Sequence, residues 1–182
     1  MKQFLRNNAR FIGFILVLWI GIQVWQTRHV PAGPLSAQAL ATPLAVINQG
    51  ALQPESQSLQ DVLSALREAQ PGLPIAVHVW AEWCSICKLE EGNVSALVDD
   101  APVITIAMQS GSAERVLQTM QDRGLRWTTL IDPQGQLAQA LGASSVPLFL
   151  VIDNKGQVRT PTVGYTSLWG MRLRLLWARV IA

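Results

Sequence analysis

Two cysteines and two histidines in 182 residues leave little with which to bind a metal. A tetrahedral zinc site built on Cys84 and Cys87 needs two further ligands. No second cysteine pair exists, and His29, His78 and scattered acids are all that remain. No methionine- or histidine-rich tract is present either, which argues against dedicated metal carriage. Charge is also scarce, at 14 % of residues against about 25 % in an average soluble chain. Acid is absent from the first 30 residues, which hold Lys2, Arg6, Arg10 and Arg28. The remainder has 10 basic and 12 acidic residues, near neutrality and without the footprint of a nucleic-acid binder. The chain has no internal repeats.

The charge deficit has a local source. Residues 11–25 carry no charge and follow three basic residues. The positive-inside bias places the N-terminus in the cytoplasm and everything after about residue 30 outside. Residues 9–27 are the expected membrane contact, within a signal anchor over 1–28. The stretch from Asn8 to Thr27 supplies the roughly 20 residues a helical span needs, and Trp19 and Trp25 suit its outer half and outer interface. Ala37-Gln38-Ala39 offers a cleavage pattern, so a removed signal peptide is the alternative. That pattern lies well downstream of the apolar run, which favours the anchor. Residues 29–57, rich in Pro, Ala, Gln, Ser and Gly, read as a spacer with room for a short strand at 44–48. A folded domain over 58–182 follows.

Within that domain Leu59, Val62, Leu63 and Leu66 have helical spacing, with Ser58 as cap and Asp61 three residues on. Residues 75–80 read as a central strand, apolar on both faces. Helix is expected over 85–98, strand over 103–108, helix over 112–123, a short strand over 127–131 and a short helix over 133–141. A hairpin of 146–153 and 157–163 turns at Asn154-Lys155-Gly156, and a helix over 166–180 closes the chain. The layout is α/β, with a mixed central sheet flanked by helices. The two cysteines stand between the central strand and the following helix. A C-x-x-C at that junction is the arrangement of a redox pair. Unpaired N–H groups and partial positive charge at the helix start favour a thiolate at Cys84, and Cys87 can reach back to close a disulfide.

Trp80-Ala81-Glu82-Trp83-Cys84 with Cys87-Lys88 closely resembles the active-site segment of the thioredoxin superfamily. Val146-Pro147 before the apolar run 148–152 matches the place where that fold keeps a cis-proline opposite the cysteines, and 153–157 resembles the turn that follows. The resemblance covers roughly 72–182. With the expected anchor, the chain resembles the membrane-anchored periplasmic TlpA/ResA/DsbE-like group. The tail over 164–178 is similar to that of the suppressor-of-copper-sensitivity D (ScsD) proteins.

The resemblance implies a thioredoxin fold, a protein of the bacterial inner membrane with its domain in the periplasm, and no cofactor. Cys84 is the expected nucleophile and Cys87 the resolving thiol. Pro147 is expected to be cis, with Val146 and Trp83 offered to the substrate. His78 stands where thioredoxin keeps a buried acid and is a candidate acceptor for the Cys87 proton. Glu90 occupies the place of a glutamate in the TlpA-like group; early in a helix it reads as a surface residue. Gly92 replaces a helix-kinking proline. The expected function is a protein-disulfide reductase acting on cysteine-containing exported proteins and fed by a DsbD- or ScsB-like transmembrane electron donor. Ser85-Ile86 between the cysteines does not fix the direction of transfer. A copper(I)-sequestering module using Cys84, Cys87 and His78, or an apocytochrome c thiol reductase, are the alternatives.

Overall fold

The computed structural model describes residues 2–31 and 33–181, with the side chains of 2–10, 16, 19 and 20 outside the described set. Lys2, Arg6, Arg10 and Trp19, on which the expected topology leans, fall among those side chains. Helix α1, Lys2–Thr27, is followed by α2, Ala37–Ala41, then β1, Ala45–Asn48, and β2, Ala51–Leu52. Helix α3, Leu59–Ala69, has Ser58 as its cap, and Asp61 returns the hydrogen bond to the Ser58 N–H. This reciprocal capping satisfies two otherwise unpaired donors. Strand β3, Ile75–Trp80, leads into α4, Ser85–Val98. Strand β4, Val103–Met108, α5, Ala113–Asp122, β5, Thr129–Asp132, and α6, Gln136–Ala140, follow. The hairpin β6, Leu148–Ile152, and β7, Val158–Val163, precedes α7, Leu168–Ile181. Among the described residues no helix is long and apolar enough to cross a membrane.

The seven strands form one sheet in the order β2-β1-β5-β4-β3-β6-β7. β3 lies parallel to β4 and antiparallel to β6. Being central, it is buried along its whole length, and alternation sends its side chains to opposite layers. Val77 and Val79 join Leu59, Leu63, Leu137 and Leu141 on one face. Ala76 and Trp80 join Cys84, Cys87, Val94, Leu97, Met171 and Leu175 on the other. His78 shares the parity of Ala76 and Trp80, so it points toward α4.

The segment expected as a spacer is packed instead. Val30, Leu35, Ala39 and Val46 lie in the core. β1 pairs with β5 through Ala45, Val46 and Ile47, and Leu44 exchanges backbone hydrogen bonds with Gln57. Few apolar residues spread among Pro, Ala and Gln suffice, because each fills a site that a distant element leaves open. α1 is also docked. Gln23 donates to the Val163 carbonyl at 3.5 Å and accepts from Thr162 at 3.1 Å, covering the outer side of the edge strand β7.

Two glycines test these contacts. A Cβ on Gly142, at φ +82°, would stand 2.3 Å from the His29 carbonyl oxygen and 2.5 Å from the Val30 Cα. A Cβ on Gly92, inside α4, would meet nothing within 4 Å. Gly142→Ala should therefore lose about 2 kcal/mol or more in urea unfolding. Gly92→Ala should gain about 0.5–1 kcal/mol by removing backbone freedom from the unfolded chain. A Gly142→Ala protein of wild-type stability would mean that residues 29–30 do not pack on the domain.

Candidate active site

The cysteines sit where the buried strand β3 gives way to α4. Cys84 and Cys87 are joined in a disulfide, with 5.2 Å between their Cα atoms. Cys84 is the cap of α4, its Sγ accepting from the Cys87 N–H at 3.1 Å. A sulfur in that position takes a helix-start N–H and the positive end of the helix dipole, both of which stabilise a thiolate once the disulfide is reduced. Cys84 is the more accessible of the two, although both are largely buried.

A second loop closes over the pair. The Val146–Pro147 bond is cis, and the Val146 carbonyl oxygen is 3.7 Å from Cys84 Sγ. Gly164 N donates to the Pro147 carbonyl, which ties this loop to the end of β7. The lead-in 81–84 is braced from the other side. Glu82 N donates to Ser110 Oγ at 2.9 Å, and Trp83 Nε1 donates to the Gln109 carbonyl at 3.0 Å. The Trp83 ring is held in place by that bond yet is 63 % exposed. With exposed Ile86 it forms an apolar rim suited to a partner polypeptide. Sequence reasoning thus places Cys84, Cys87, Trp83, Val146 and Pro147, and the structure brings them together.

Glu90 corrects the surface reading: it is fully buried. One carboxyl oxygen, Oε1, accepts the Thr166 backbone N–H. The other, Oε2, lies 3.8 Å from His78 Nδ1, beyond hydrogen-bond reach. Among the described residues neither Oε2 nor either ring nitrogen of His78 has a hydrogen-bond partner. The signal was present in the sequence: Cys87, Glu90, Val94 and Leu97 are spaced as the buried stripe of a helix, with Glu90 filling the place of an apolar residue. Burial raises the Glu90 carboxyl from 4.5 to about 7, the Thr166 hydrogen bond opposing the shift. Burial also pushes His78 down from 6.5 to about 3. His78 is therefore neutral at pH 7, and the group whose proton affinity matches neutral pH is Glu90.

Among the described residues no three His, Cys, Asp or Glu side chains gather into a metal cluster. Trp127, expected to begin a strand, precedes β5 instead. Its indole stacks edge-on against Trp80, with centroids 5.6 Å apart, and donates to Ser95 of α4.

The two shifts act on stability in opposite senses. Glu90 has a raised folded pKa, so its contribution is greatest below pH 4.5 and is lost as pH rises toward 7. His78 has a depressed one, so its contribution is present above pH 6.5 and lost as pH falls toward 3. Between pH 4.5 and 6.5 the slopes oppose. Glu90→Gln removes one of them while keeping an acceptor for Thr166. Its stability relative to wild type should climb by roughly 3 kcal/mol from pH 4.5 to above 7. Urea titrations of the oxidised proteins would read it, and a pH-independent difference would place the Glu90 pKa near its ordinary value.

The AhpC/TSA family pattern matches residues 52–160. A thioredoxin-like protein of Haemophilus influenzae is 28 % identical over 123 residues, covering 67 % of this chain and 73 % of its own. The thiol:disulfide interchange protein DsbE of Pseudomonas aeruginosa is 27 % identical over 128 residues, covering 68 % and 71 %. Among solved structures, a secreted thiol-disulfide isomerase of Corynebacterium glutamicum superposes with a TM-score of 0.60 at 15 % identity, over 82 % of this chain and 93 % of that one; it shares the fold. The names of these relatives, taken with the cysteine pair at the start of α4, support thiol–disulfide oxidoreductase activity. The chain belongs to the AhpC/TSA family, and its fold is thioredoxin-like.

Proposed function

We propose that this protein is a thiol–disulfide reductase of exported, cysteine-containing proteins, held at the outer face of the bacterial inner membrane by α1. The observation that carries the reading is the Cys84–Cys87 disulfide capping α4 beside the cis Val146–Pro147 loop. The membrane part is supported by the basic flank of residues 2–10, the uncharged run after it, and the exposure of Phe11, Phe14, Val17, Leu18 and Trp25. Arg28 stacks on Trp25 at 4.5 Å, an arrangement suited to the outer interface. The apolar run of α1 is too short to span alone, so this reading counts Asn8 to Thr27, with Gln23 and the polar ends at the interfaces; the N-terminus is then cytoplasmic and the domain periplasmic. The tail over 164–178, similar to ScsD proteins, suggests a setting of copper or oxidative stress.

In the reducing direction the Cys84 thiolate attacks one sulfur of a target disulfide, and the other target sulfur leaves as a thiolate that takes up a proton. The mixed disulfide rests against Val146 and the Trp83 ring. Cys87 then loses its proton, attacks Cys84 Sγ and releases the second target sulfur as a thiol. The target gains two electrons and two protons, and the protein is left as the disulfide seen here. Glu90, three residues after Cys87 on the same helix face, is the acceptor for the Cys87 proton, and His78 beside it excludes water and keeps its affinity for protons high. A DsbD- or ScsB-like membrane protein supplies the two electrons that restore the dithiol.

The reduction potential and an insulin-reduction assay test the direction. A potential below about −200 mV with turnover lost in Cys84→Ser is expected. A potential near about −120 mV, as in strong oxidants, with oxidation of reduced unfolded protein would overturn the reductase reading. Carbonate extraction of membranes tests the anchor, which predicts an intact N-terminus in the pellet. A soluble periplasmic species beginning near Leu40 would overturn it.

Resolution kinetics test the proton acceptor. Glu90→Gln should leave attack by Cys84 near wild type and slow release of the mixed disulfide by about 10²-fold or more near pH 7. In His78→Ala, water reaching Glu90 should move the midpoint of the resolution profile to lower pH. Wild-type resolution in a folded Glu90→Gln protein across pH 6–8, around the ordinary histidine pKa of about 6.5, would remove the role.

A further inference from the structure

Helix α7 is apolar on two sides. Met171, Leu175 and Ala178 face the core. On the opposite side Trp169, Leu173, Leu176, Trp177 and Val180 are each 58–72 % exposed. Their positions, i, i+4, i+7, i+8 and i+11, fall within one stripe of a helix turning 100° per residue. A stripe this long is unusual on a soluble surface.

The residues beside the stripe indicate what covers it. Arg174 lies along one side, Arg172 and Arg179 along the other, and α7 contains no acid. Arg172 is paired with Asp100 and lies 5.8 Å from the Trp169 ring; Arg174 is half-buried and gives one N–H to the Gly170 carbonyl at 3.1 Å, and Arg179 is exposed. Arginines flanking a face that carries two tryptophans fit the headgroup region of an anionic bilayer. There the guanidinium groups meet phosphate, the indoles sit at the interface and the aliphatic side chains enter the acyl boundary. The face also adjoins the anchor. β7 carries α1 through Gln23 at Thr162 and Val163. A cleft lined by Thr160 and Pro161 of the same strand and by Leu173, Arg174 and Trp177 opens beside α7.

We propose that this face of α7 lies on the anionic lipid surface of the membrane that holds α1, giving the domain a second, peripheral attachment. The inference takes its geometry from the membrane reading above. Charge complementarity selects lipid over a second copy, because a self-complementary pairing of this stripe would bring arginine rows together.

The test uses the full-length oxidised protein in nanodiscs of phosphatidylcholine, with and without phosphatidylglycerol. Hydroxyl-radical footprinting reads Trp169 and Trp177, with Trp83 as the internal control. Both indoles should be oxidised about fivefold more slowly in the anionic discs, and high salt or Arg174→Gln/Arg179→Gln should abolish the difference while Trp83 is unchanged. The salt arm needs no variant. Equal oxidation in the two discs overturns the proposal. Protection that follows protein concentration and ignores lipid composition assigns the face to a second copy and overturns it too. Failure of the anchor is read separately, as release of the chain from phosphatidylcholine vesicles by carbonate. The released chain should then still sediment with phosphatidylglycerol vesicles in low salt only, and failure to do so overturns the role of α7.

Discussion

One buried carboxyl joins the elements that make up the redox site. Glu90 projects from α4, receives the backbone N–H of Thr166 just before α7, and stands against His78 of β3. The N–H it satisfies is one that the α7 helix does not use, since α7 begins at Leu168, after Ser167, whose hydroxyl accepts from Gly170. A single acceptor thus fixes where one helix starts and how it meets another. Burying a carboxyl is costly unless its oxygens are paired, and here only one of them is. The remaining cost appears as proton affinity, raising the carboxyl from 4.5 to about 7.

The surroundings of His78 and Glu90 differ from the expectation built on sequence alone. The strand position of His78 was legible from parity, because alternate residues of β3 face alternate layers. Its protonation was not. His78 lies edge-on to Trp127, with ring centroids 6.2 Å apart, against the apolar layer around Trp80 and Phe149. Its one acidic neighbour, Glu90 Oε2 at 3.8 Å, is beyond hydrogen-bond reach, and burial is the dominant influence on the ring. Burial therefore takes it out of the titrating range. The same burial lifts the carboxyl toward that range, so the order of the two ordinary pKa values is reversed.

Much of the fold could be read directly. Periods of two and 3.6 residues, the Ser58 and Ser112 caps, and the glycines after the helices all coincide with element boundaries. The cysteine pair and the proline loop were equally plain, because motif and strand context agree. What escaped was non-local. A short strand over 44–48 is expected and is present as β1, but that Val46 and Ile47 join the core depends on the edge that β5 offers them. Glu90 escaped because its charge outweighed its place in a buried stripe.

The packing of Val30, Leu35, Ala39 and Val46 into the core has a consequence for encounters. A free tether over 30–57 would let the domain wander with a root-mean-square reach of roughly 30 Å, sampling partners at many heights and angles. Here the close fit of Gly142 against His29 and Val30 and the Gln23 clamp on β7 remove that freedom. The redox rim is carried at a fixed attitude to α1. Were α1 to hold the chain in a membrane as proposed, a donor confined to the same plane would meet a face already turned in one direction, and orientation would select partners before any sulfur chemistry.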